Sequence, residues 1–184
     1  MPKLSPDLKE AILRMPAAEK DKLLLRLVAK DEKLCRKLEY ELLEEGTSLD
    51  ERRADIRETI DRLAVGHHYS PGWLMMDMRS VNGTITAHVK TTKDKTGEIA
   101  LTLYLLNRVY DEQMPHLAKY SSRSDTLAAY VAKRTQFVLQ KLEKLHPDYY
   151  IEFEEDVNKL LAHVHTTAPA KYARELQLPR QWQY

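Results

Sequence analysis

Apolar side chains recur every three or four positions along most of the chain, and prolines fall where one such run gives way to the next. Ser5 and Pro6 open a short helix with Leu8, Ile12 and Met15 on one face, and Pro16 ends it. From Pro16 to Gly46 the spacing predicts a helical hairpin. Pro16 suits a first helical position, Leu24, Leu27 and Val28 form a stripe that Leu23 and Leu25 widen, and Asp31 caps a second helix. Leu34, Cys35, Leu38 and Leu42 share one face of that helix, and Gly46 supplies its stop. Neither helix is long enough to be stable alone in water, so both stripes need a partner. Ser48 and Glu51 then read as a capping box for a helix that turns Leu49, Ile56, Ile60 and Leu63 inward.

Residues 66–72, GHHYSPG, read as a linker because they hold two glycines, a proline and no aliphatic side chain. The next segment fits two patterns. As a helix started by Ser70 and Pro71 it puts Leu74, Met78, Val81, Ile85 and Val89 on one face. As a β-hairpin over 74–91 it turns at Asn82 and Gly83. The helix is preferred, because its neighbours are helical and a lone hairpin is marginal in water. Asp94 or Thr96 caps a helix whose Ile99, Leu101, Leu103, Leu105, Leu106 and Val109 occupy nearly every side, which marks it as the central element. A long helix follows from about Arg123 to Leu145, with Leu127, Val131, Val138, Leu142 and Leu145 in one series, then one from about Pro147 that faces Tyr150, Phe153, Val157, Leu160, Leu161 and Val164 inward. A short final turn precedes the aromatic tail.

The arrangement of Pro16, Glu19, Leu23 to Leu25, Leu27, Asp31, Leu34, Leu38 and Leu42 resembles one unit of a HEAT-like or armadillo-like α-helical repeat. That resemblance implies an α-α architecture and brings no functional residue with it. No second copy recurs at a fixed period, as a regular solenoid requires. The fold class expected is all-α, with seven to nine helices in antiparallel pairs forming an α-α superhelix or an irregular bundle. The organisation expected is an N-terminal helical subdomain over 1–65, the 66–72 linker and a C-terminal helical subdomain over 73–184, or one continuous domain.

Composition agrees with this picture. Only 5 glycines occur in 184 residues, and the formal charge of +1 gives no global bias toward nucleic acid or an anionic membrane. The charge is uneven, since residues 66–146 hold 11 Lys and Arg against 7 Asp and Glu. Cys35 is the sole cysteine and lies on an apolar face, so no internal disulfide forms and a reducing compartment fits. No signal-peptide run and no stretch of about 20 apolar residues is present, so a cytoplasmic protein without a membrane segment is expected.

Candidate chemistry is sparse. Asp77, Thr84 and His88 form a polar stripe on the ambiguous segment, and Tyr104, Arg108 and Asp111 form another on the central helix. Buried charges must find partners, so these stripes build either an internal hydrogen-bond network or a ligand pocket, with Asp77, His88, Tyr104 and Arg108 as the candidate ligand-binding residues. His67 and His68 point apart in most conformations and have no neighbour at metal-ligand spacing, so they read as an exposed turn. Lys90, Lys93, Lys95, Lys133, Arg134, Lys141 and Lys144 could line a strip for nucleic-acid phosphates, with few aromatics for base stacking. Trp182 and Tyr184 either fold back or anchor a protein partner. No nucleophile, paired-carboxylate or zinc spacing appears, so no catalytic residue, metal or cofactor is expected. The reading is a non-catalytic module for binding another protein or itself. A small-molecule protein or enzyme with an inter-helix pocket is the alternative, and a weak nucleic-acid-binding module the third.

Overall fold

A computed structural model describes residues 4–44 and 47–184, and among these residues it contains ten α-helices and no strand. The chain divides into two units, Met1–Thr47 and Ser48–Tyr184.

The first unit holds α1 (Pro6–Arg14), α2 (Ala17–Val28) and α3 (Glu32–Leu42). Two of the predicted caps form. Ser5 Oγ accepts from the Leu8 amide at 3.3 Å, and Asp31 accepts from the amides of Lys33 and Leu34 at 3.0 and 3.1 Å. Pro16 stands one residue ahead of α2, so the helix begins after it. The stop expected at Gly46 lies outside the described residues. No residue of the three helices is fully buried.

The second unit holds α4 (Leu49–Val65), α5 (Pro71–Thr92), α6 (Lys95–Glu112), α7 (Met114–Leu117), α8 (Asp125–Leu142), a 3₁₀ turn at Pro147–Tyr149, α9 (Tyr150–Thr166) and α10 (Ala170–Glu175). Helix α6 packs against α4, α5, α8 and α9. Its apolar residues Ile99, Leu101, Leu103, Leu105, Leu106, Val109 and Tyr110 are all essentially excluded from water. A helix apolar on nearly every side must be largely surrounded, and the inward stripes of its neighbours do this. Ile56 and Ile60 come from α4, Leu74, Met78 and Ile85 from α5, Leu127 and Val131 from α8, and Val157, Leu160 and Val164 from α9.

The Asn82–Gly83 pair lies inside α5, which settles the ambiguous segment as helix. Gly83 faces open space, where an added Cβ would meet nothing within 4 Å, so no turn demands it. Asn82 instead joins helices: its Nδ2 donates to Tyr130 Oη at 3.2 Å and its Oδ1 accepts from Arg134 at 2.8 Å. Ser48 does precede α4, but its hydroxyl accepts from Arg52 Nε at 3.2 Å and makes no backbone cap bond.

Segment 66–72 is tied down within this unit. Gln113 Nε2 donates to the carbonyls of Ala64 and Gly66 at 2.6 and 3.0 Å, and His116 Nε2 donates to that of His68 at 3.0 Å. His68 is buried, contrary to the exposed turn its neighbours suggest.

The chain end returns to α9. Asn158 Oδ1 accepts from the Trp182 amide at 2.8 Å, and its Nδ2 donates to the Trp182 carbonyl at 3.3 Å. The Trp182 ring is buried edge-on against Tyr150 at 5.1 Å, while Tyr184 stays largely exposed. Trp182→Ala should therefore lower the urea-unfolding stability of this unit by about 3 kcal/mol. An unchanged midpoint would show that the tail adds nothing to the fold.

Candidate functional site

A buried polar cluster of the second unit lies where α5 gives way to α6. Lys93 ends α5 in the left-handed conformation, with φ 64°, and its amide closes the helix on the Val89 carbonyl at 2.9 Å. The sharp reversal delivers Asp94 to the N-terminus of α6, where its Oδ1 accepts from the Gly97 amide at 2.8 Å. Arg53 of α4 grips the same carboxylate with two parallel bonds of 2.7 Å, Nε to Oδ2 and Nη2 to Oδ1. His88 of α5 donates from Nε2 to Oδ2 at 3.1 Å. One carboxylate thus joins three helices, and its side chain and that of His88 are each only 4% exposed.

Burial by itself would raise the Asp94 pKa. The hydrogen bonds from Arg53, His88 and the Gly97 amide, with the Arg53 charge, outweigh that and hold the carboxyl well below the usual carboxylate range. Gly97 is there for space. A Cβ at this position would fall inside the Asp94 carboxylate and within 2.9 Å of Arg53 Nε.

An aspartate holding a histidine is also part of a nucleophilic triad. Here Arg53 spends the carboxylate charge, and among the described residues no hydroxyl or thiol bonds to the His88 imidazole. The arrangement suits a static clamp better than proton transfer.

The other residues singled out by spacing have different partners. Asp77 meets the Nε2 of buried His68 at 3.3 Å. Tyr104 and Arg108 do converge, both on Asp61 of α4: Tyr104 Oη donates at 2.8 Å and Arg108 Nε at 2.8 Å. Hydrogen bonds from Tyr104 and then Arg108 lower the Asp61 pKa despite the opposing effect of burial. Arg108 also reaches Glu112 at 2.9 Å. Asp77 and His88 share no partner with this pair. Thus Tyr104 and Arg108 form one α4–α6 contact, and the sequence had no direct sign of Asp61 as their counterpart, nor of Asp94 and Arg53 as that of His88. The charge pattern of α4 was the available signal, and it reads equally well as a solvated face.

The basic strip is divided in two by the fold. Arg134 is half-buried among Asn82, Tyr130 and Phe137, lying 4.1 Å over the Phe137 ring, and burial lowers its pKa. Lys90, Lys93, Lys95, Lys141 and Lys144 instead line one cavity of about 330 Å³. Glu98 lies in the same wall and pairs with Lys141 at 2.6 Å. Among the described residues no group of three His, Cys, Asp or Glu side chains could hold a metal ion, and no helix is long and apolar enough to cross a membrane.

The Asp94 clamp generates a pH dependence of known sign. A depressed carboxyl stabilises the fold at every pH above its unfolded value of about 4, and this contribution is lost as pH falls through the folded value. Asp94→Asn should cost about 3 kcal/mol at neutral pH, by leaving Arg53 without its charge partner. It should also flatten the loss of stability below pH 4 or so. Urea unfolding against pH checks both, and parallel curves for the two proteins would contradict the clamp. Comparison with protein-family models, with curated proteins and with solved structures gives no match.

Proposed function

We propose that the protein is a non-catalytic helical interaction module, and that it associates with a second copy of itself through the apolar faces of α1 to α3. The observation that carries this reading is the exposure of leucines on helices that bury nothing. Leu8, Leu24, Leu27 and Leu42 are 48%, 56%, 52% and 67% exposed, and no residue of α1, α2 or α3 is buried. Single exposed leucines are ordinary on a protein surface. A run of them at helical spacing on consecutive helices is the mark of a face that another protein covers.

Charge supports a partner of the same kind. Between Pro6 and Leu42 nine Lys and Arg stand among eight Asp and Glu, so this segment has no one-signed field to attract nucleic acid or an anionic bilayer. The α2–α3 pair is the part that resembles a HEAT-like or armadillo-like unit, and stacking of such pairs into an α-α superhelix would cover the leucines of each. Cys35 is a free thiol, which supports a reducing compartment such as the cytoplasm.

Sedimentation velocity of the full chain across a range of concentrations tests the reading, alongside Leu24→Glu with Leu27→Glu. Both positions are exposed, so the variant should keep its helical circular dichroism. The wild type should associate as concentration rises and the variant should remain monomeric. A wild type that stays monomeric throughout would overturn the proposal, as would a variant that associates equally well.

A further inference from the structure

Three parts of the second unit lean on the lysine-lined cavity. The end of α5 brings Lys90, the α5–α6 turn and the first residue of α6 bring Lys93 and Lys95, and the end of α8 with the turn after it brings Lys141 and Lys144. Two of the five ammonium groups are engaged. Lys141 pairs with Glu98, and Lys93 Nζ donates to the Lys90 carbonyl at 3.1 Å. Among the described residues Lys90, Lys95 and Lys144 make no ion pair. The nearest other carboxylate in the turn, Asp94, is already held by Arg53, His88 and the Gly97 amide.

Lysines at the ends of α5 and α8 have an ordinary explanation, since cations complement the negative end of a helix. Lys95, at the first position of α6, has no such explanation, since the helix field disfavours a cation there and the Asp94 carboxylate already caps the Gly97 amide. With five lysines against the single Glu98, which Lys141 neutralises, the concave wall keeps a positive excess that attracts counter-ions. The floor is different in character, because the half-buried Val89 and Leu145 supply apolar surface beside the ammonium groups. The volume is within the range of small-ligand sites.

We propose that this cavity is a binding site for a small organic phosphate, with its phosphate group among Lys90, Lys95 and Lys144 and its apolar body on Val89 and Leu145. The site is independent of the self-association of α1 to α3. It lies away from Asp61, Tyr104 and Arg108, whose charges are mutually satisfied. Nucleic acid would use the same phosphate chemistry, but a concave pocket with an apolar floor suits one compact ligand better than a continuous strand.

Isothermal titration calorimetry of the full chain with phenyl phosphate tests the site. Inorganic phosphate, phenol and a short single-stranded oligothymidylate serve as comparisons. Phenyl phosphate should bind once per chain, more tightly than either inorganic phosphate or phenol. Lys95→Gln with Lys144→Gln removes two exposed side chains and should weaken it about tenfold or more, with helical circular dichroism unchanged. Absence of saturable binding, equal affinity for inorganic phosphate, or undiminished binding by the double variant would each overturn the proposal. So would oligothymidylate binding more tightly than phenyl phosphate with a steep salt dependence, which would make the face a nucleic-acid surface.

Discussion

The structure of residues 48–184 depends on the burial of α6. A helix with leucine, isoleucine, valine or tyrosine on nearly every side has only a narrow stripe, along Tyr104, Arg108 and Asp111, to offer water, so α4, α5, α8 and α9 enclose the rest. Each large aliphatic side chain taken fully out of water contributes about 1.5–3 kcal/mol, whereas a partly exposed ion pair such as Arg108 with Asp61 contributes about 1 kcal/mol or less. Many of the first against a few of the second decides which force sets the architecture. The ion pairs select how the helices meet within it.

Asp94 is where selection is strongest. The chain must reverse between two long helices, and a reversal leaves helix amides unpaired and charges close to the core. One carboxylate answers both needs by capping α6 and binding Arg53 and His88. The arrangement leaves no room for a side chain at Gly97. The same turn presents Lys93 and Lys95 outward to the cavity, so the clamp that closes the core also fixes the geometry of the basic site.

Periodicity made the helices legible because core burial follows it directly. Leu127, Val131, Val138 and Leu142 of α8 and the apolar stripe of α9 were readable from spacing, whereas the buried Ala128, Ala132 and Leu139 were not. The caps at Ser5, Asp31 and Ser70 were readable, and Asp94 was one of two candidates. What failed to read was pairing across distant sequence. Asn82 and Gly83 carry the local signature of a turn, and only Tyr130 and Arg134, some fifty residues later, explain why Asn82 is buried in a helix. His88 looked like half of a pocket with Asp77 until Asp94 and Arg53 came to meet it. Two of the four ligand candidates, Tyr104 and Arg108, do come together, yet on Asp61. The lysines were visible as a strip, but their closure into a cavity depends on how α5, α6 and α8 cross.

The two units differ in what sustains them. Residues 48–184 own a core, whereas α1 to α3 bury no residue and rely on local caps and short-range pairs. Native-state hydrogen exchange resolved by residue measures that difference most directly. The amides of Leu101 to Val109 should exchange only through global unfolding of the second unit, and those of α1 to α3 through far less costly local opening. Exchange from α6 as rapid as from α2 would contradict the claim that its burial organises the fold.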